Sequence, residues 1–274
     1  MIELTKVGEN MQLISFLINV ALVVFILSMA IAFVFLIRRN TKNKKIVECV
    51  EAFDNEDVFF NKIDNYIELE KDNEFKMKGK ILKLWGCVKY DHKDSIEPLL
   101  NEIDCTPLFE KKGKYNKTKA SLNEDSFYYL CLACCNTLYG RKDHDLLMKF
   151  KEKLDDLDQS INRLLVYQLS MNGFKLYQGE EDLGEEFFSN MLQGDTGDLH
   201  YAKQLIGIYK DICAAYLTKI YYIQNRSEEY ESIKEDMQRF YRSGLGKRYL
   251  TELEIPQEWV VEPTEPEESS EEIE

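Results

Sequence analysis

Residues 206–223 read IGIYKDICAAYLTKIYYI, and within them Ile206, Tyr209, Cys213, Tyr216, Ile220 and Ile223 recur at intervals of 3 and 4. Alternating intervals of this kind match the turn of an α-helix, so the six side chains form one apolar stripe. Helical periodicity runs through nearly all of residues 46–251, and no stretch sustains the two-residue alternation of a half-buried strand. With 13 glycines and 5 prolines in 274 residues, the chain has little of the punctuation that sandwiches and barrels require. The sequence therefore predicts an all-α fold. Helix starts are read at Ser121 with Glu124 as a capping box, at Asp94 with Glu97, and at Thr106 before Pro107.

A small residue followed four positions later by tyrosine, then by polar turn material, occurs as Gly86 and Tyr90, Cys135 and Tyr139, Gly173 and Tyr177, and Thr218 and Tyr222. Each copy reads as the end of the first helix of a hairpin. The small side chain admits a neighbouring helix and the tyrosine fills the gap at the turn. Stacked hairpins then bury apolar faces that no single pair covers. Residues 46–53 and 58–69 read as a further hairpin broken at Asp54 and Asn55.

This pattern resembles tetratricopeptide repeats, whose first helix carries a small residue and a tyrosine near its C-terminal end. The resemblance covers roughly residues 75–242, with Trp85 and Gly86 matching the family's step from a large residue to glycine. The spacing departs from the family's, being small-x-x-x-Tyr in longer repeats. The resemblance implies a stacked helical-hairpin solenoid with a concave surface for a protein or peptide partner, and implies no chemistry.

Residues 13–37, LISFLINVALVVFILSMAIAFVFLI, carry no charge over a length that exceeds the ~20 residues needed to span a bilayer core. The run is too long for a signal peptide, and its start carries Glu3 and Glu9 against Lys6. Arg38, Arg39, Lys42, Lys44 and Lys45 follow at once, which by the positive-inside bias places the C-terminal bulk in the cytoplasm and residues 1–12 outside. Seven cysteines in no disulfide pattern suit that reducing side.

The expected organisation is a short extracytoplasmic start (1–12), a transmembrane helix (13–37), a basic juxtamembrane segment (38–45), a helical-hairpin repeat domain (46–251) and an acidic disordered tail (252–274). Charge is segregated along it. Residues 1–45 carry six cations against two carboxylates, while the tail holds ten carboxylates and no base. Trp259, Val260 and Val261 form an apolar island in that tail, read as packing back on the last helix or as a short linear motif. Lys111, Lys112, Lys114, Lys117 and Lys119 make the one basic loop in the repeat domain. A net charge of -14 opposes binding of the chain as a whole to nucleic acid.

Chemistry-bearing motifs are sparse. Cys131, Cys134 and Cys135 contain a C-x-x-C, but in an apolar run where thiols pack as small hydrophobes. Asp155, Asp156 and Asp158 lack the glycine and terminal glutamate of a calcium loop, and Gly244 reads as a helix stop. No phosphate loop, nucleophile elbow or zinc-protease motif occurs. No residue is nominated as catalytic, cofactor-binding or metal-ligating, and no enzymatic activity is expected. The expectation is a single-pass, non-enzymatic adaptor of the cell membrane whose cytoplasmic repeats hold a protein or peptide partner. The alternative is a structural subunit assembled through its transmembrane helix.

Overall fold

The computed structural model describes residues 39–109, 123–157 and 159–260, together with 25, 28, 29, 32–34, 36 and 37. Residues 1–12, much of 13–37, Arg38, the basic loop from Lys111 to Lys119, Ser121 and the tail from Val261 lie outside the described residues. The chain divides into two units, Met1–Tyr66 and Ile67–Glu274.

In the first unit every described residue between 25 and 51 is helical, the part at 39–51 being α1. Among the described residues no helix is long and apolar enough to cross a membrane. The side chains of Phe25, Met29, Phe33, Val34, Leu36 and Ile37 are all exposed. A break at 52–55 leads to α2 (Glu56–Leu69), which starts where the Asn55 side chain accepts a hydrogen bond from the Val58 N–H at 3.2 Å. Phe53 in the break meets the edge of the buried Phe59 with ring centroids 4.7 Å apart, and Lys62 of α2 donates to the Glu48 carbonyl of α1 at 3.3 Å, so residues 46–69 form the expected hairpin.

The second unit is helical, with no strand among the described residues and an isolated parallel bridge between Leu164 and His200. Its helices are α3 (Asn73–Lys89), α4 (Lys93–Glu102), α5 (Thr106–Phe109), α6 (Glu124–Phe127), a π-helical stretch (Tyr128–Ala133) continuing into α7 (Cys134–Gly140), and α8 (His144–Asp155). Then follow α9 (Leu165–Gln178), α10 (Glu185–Gln193), α11 (Ile206–Ile223), α12 (Ser227–Glu231), α13 (Lys234–Tyr241) and α14 (Gly244–Glu252). α3 packs on α4, α7 on α8, and α11 on α12 and α13, as hairpins do, whereas α10 packs chiefly on α11 of the next pair. The first helices also pack on one another, α3 on α7, the π-helical stretch on α9, and α9 on α11.

The four hairpin turns share one device. Asp91, Lys142, Gly179 and Asn225 all take positive φ, at 61°, 60°, 65° and 56°. The next residue in each case donates its N–H to a carbonyl five positions back: His92 to Cys87, Asp143 to Leu138, Glu180 to Lys175 and Arg226 to Tyr221. This is the Schellman motif, which satisfies the carbonyls a helix end leaves open. The turns are thus equivalent in backbone, although glycine occupies the left-handed position only at Gly179.

Several sequence expectations are corrected in detail. The tyrosines after the small residues do not share one register: each stands one, two or three residues before its left-handed position, Tyr177 is buried and Tyr222 is exposed. The stripe on α11 is too narrow, because Ile212, Ala214, Ala215 and Leu217 are buried as well, and the helix is wrapped by α9, α10, α12, α13 and α14. α4 begins at Lys93 with no side-chain cap, and Glu97 pairs with Lys149 of α8 instead. α6 follows Asn123, whose side chain makes no capping bond, and Thr106 opens α5 with its N–H held by Asp104 at 2.9 Å. Gly244 starts a helix rather than stopping one, capped by Ser243, whose hydroxyl accepts from the Gly246 N–H at 2.9 Å. Order also extends past Glu252: Leu253, Ile255 and Val260 are buried. Trp259 packs against Tyr222 and Tyr230, with centroids 5.4 and 5.1 Å away. The apolar side chains of this stretch supply the burial that its acids alone would not.

Candidate functional site

The first helices of the hairpins form a row, and α14 lies against it, packed on α7 and α11. The approach is close. A Cβ on Gly140 would stand 2.8 Å from the Glu252 Cα, and one on Gly246 would stand 1.8 Å from the Phe240 carbonyl oxygen at the corner between α13 and α14. Only glycine permits either contact.

α14 carries two charged side chains into the face, one turn apart. The Arg248 guanidinium sits 5.0 Å from the centroid of Trp85 on α3 and donates to the Tyr128 hydroxyl at 3.1 Å. Stacking a cation on an indole in this way is favourable where water is partly excluded. Glu252 accepts from Thr137 Oγ1 at 2.7 Å and from Asn136 Nδ2, both on α7, and its Oε1 stands 3.9 Å from Arg248 Nε. Burial, the dominant influence, lifts the Glu252 carboxyl above its ordinary value against the opposing pull of those hydrogen bonds and of Arg248.

The polar network continues into the stack. The Tyr177 hydroxyl donates to Asn136 Oδ1 at 3.2 Å and lies 2.6 Å from the Tyr216 hydroxyl, so α7, α9 and α11 are tied in series. Ser170 Oγ donates to the Cys131 carbonyl in the π-helical stretch at 2.7 Å, and such stretches disturb the regular carbonyl pairing of a helix. Glu124 is buried on α6 and accepts from the Tyr209 hydroxyl and the Ala202 N–H, both at 2.6 Å. Arg141, in the turn after α7, donates to the Val88 and Lys89 carbonyls at the end of α3. These bonds hold neighbouring elements in register.

Cys131, Cys134 and Cys135 are fully buried free thiols, and burial pushes each well up from its ordinary value. A thiol so held is a poor nucleophile and a poor metal ligand. Among the described residues no group of three or more His, Cys, Asp or Glu is placed to hold a metal ion. Asp155 pairs with Lys151 at 2.9 Å and Asp156 caps α8, while Asp158 lies outside the described residues. A cleft of about 210 Å³ opens between the α4–α5 connection and the end of α8, lined by Cys105, Asp104, Lys153 and Asp156 among others. Its thiol is no stronger a nucleophile, since burial pushes Cys105 up to about 12. The seat of α14 was hidden from sequence reading because α14 looks amphipathic and ordinary; the only signal was the pair Arg248 and Glu252 at a spacing of four. No known family model, curated protein or solved structure matches the chain.

Proposed function

We propose that this chain is a membrane-anchored adaptor, with a tetratricopeptide-like stack of helical hairpins that holds a protein or peptide partner beside a bilayer. The observation that carries the reading is the succession of hairpins, closed by equivalent Schellman turns, with their first helices laid against one another. Such stacks present broad side-chain surfaces and need no reactive centre.

The anchor is residues 13–37, crossing once with residues 1–12 outside and the stack in the cytoplasm. Support comes from the uncharged run itself, from the five cations after it, and from the exposed apolar side chains of Phe25, Met29, Phe33, Val34, Leu36 and Ile37. At about 100° per residue these six spread over half of a helix surface, which water covers poorly and lipid covers well. Tethering to a surface raises the effective concentration of whatever the stack binds.

The test replaces residues 13–37 of the full chain by an unrelated membrane span and recovers the chain with its bound proteins. Retention of the same partners supports an adaptor acting through its stack. Loss of all partners supports the structural-subunit reading, in which the span itself makes the contact.

A further inference from the structure

We propose that α14 and the turn Gln257–Trp259 form a lid over the first-helix face, opening while the remaining stack stays folded, and that the uncovered face takes a partner helix bearing an arginine and a glutamate one turn apart. The proposal rests on the adaptor reading only for its biological use; the opening itself stands on the geometry of the seat.

That seat is made of recognition contacts as much as of core. Trp85 and Tyr128 receive a guanidinium, and Asn136 and Thr137 receive a carboxylate, from three successive segments of the first-helix row. A cation and an acid separated by four residues lie one turn apart on one helix face, which is the spacing of the two stations. α14 fills them imperfectly. Tyr249, Leu250 and Leu253 are buried, but Arg248 Nε is enclosed without a hydrogen-bond partner, with Glu252 Oε1 3.9 Å away. Two charged groups have left much of their water, and a buried pair of this kind returns little net stability. Beyond α14, Ile255 and Val260 are also buried, while Lys142 with Glu254 at 2.9 Å and Trp259 on Tyr222 and Tyr230 fasten the edge. By contrast every residue of α11 from Ile212 to Tyr221 is buried, so the two helices should open at different free energies.

Hydrogen exchange of the full chain under native conditions reads this directly. Amides of residues 247–260 are expected to exchange at least ten-fold faster than those of residues 212–220; exchange of both at one rate, through one global unfolding, overturns the lid. For recognition, the probe is a labelled synthetic peptide of residues 243–260. The full chain carrying Arg248→Ala and Glu252→Ala should bind it at least ten-fold more tightly than the unaltered chain does, and a peptide with the same two alanines should bind neither. If the altered chain does not fold, the unaltered chain in excess peptide replaces it, and faster exchange of its own residues 247–260 is the supporting result. Absence of peptide binding and of any exchange response overturns the recognition half. Failure of the membrane or partner experiments would leave these readouts unchanged.

Discussion

The hydroxyls of Tyr177 and Tyr216 lie 2.6 Å apart in the interior, joining α9 to α11. Tyr177 spends its proton on Asn136 Oδ1, so Tyr216 is the donor of the pair. Tyr216→Phe removes one bond and should cost about 1 kcal/mol. Tyr177→Phe strands both Asn136 and Tyr216 and should cost roughly 2 kcal/mol. Urea unfolding of the two variants measures the asymmetry; equal losses would contradict the assigned direction of donation.

Gly246 and Gly244 should respond in opposite ways to the same change. A Cβ at Gly246 meets the Phe240 carbonyl, so Gly246→Ala should lose on the order of 3 kcal/mol or more. At Gly244 nothing lies within 4 Å, and Gly244→Ala should gain roughly 0.5 kcal/mol through helix propensity and a less disordered unfolded chain. Thermal melts of both variants suffice to check the contrast.

Left-handed positions filled by ordinary residues carry strain that glycine relieves. Lys142 has φ 60° at the turn after α7, and Lys142→Gly should stabilise by roughly 1 kcal/mol. Its pair with Glu254 is largely exposed and offsets little. Gly179, at φ 65°, should behave inversely, Gly179→Ala losing a similar amount. Matched denaturation curves showing no change at either site would deny the turns their common geometry.

Acidity should act through Glu124 and Glu252, both raised above 4.5, chiefly by burial. The folded chain then holds these protons more tightly than the unfolded one. Their contribution is fully present below about pH 4.5 and is lost as pH rises through the folded values. Asp104, Asp182, Glu229 and Glu254 are shifted downward and work in the opposite sense. Unfolding free energies of the unaltered chain and of Glu124→Gln with Glu252→Gln, compared across this range, should diverge with pH in the unaltered chain's disfavour. A constant difference would mean that neither carboxyl is shifted.

The all-helical fold was legible because the 3-and-4 spacing of α11 and its neighbours reflects burial on helix faces, which periodicity records directly. The hairpin turns were placed by their polar residues, yet their equivalence was not, since Asp91, Lys142, Gly179 and Asn225 share a backbone state and no residue type. The seat of α14 was invisible for a related reason. Trp85 and Arg248 lie far in the chain from Tyr128 and Asn136, the repeat resemblance uses Trp85 only for its step to Gly86, and only packing brings the four together. Gly244 was misread because a glycine before a basic run fits the end of one helix as well as the start of the next, and Ser243 decides between them through its bond to Gly246.

The membrane anchor is the claim on which the proposed function turns, and alkaline carbonate extraction of membranes bearing the full chain, paired with protease treatment of sealed cells, tests it most directly. The account predicts that the chain stays with the lipid pellet and that its helical body survives external protease. Release into the supernatant, or digestion of the body from outside, would contradict it.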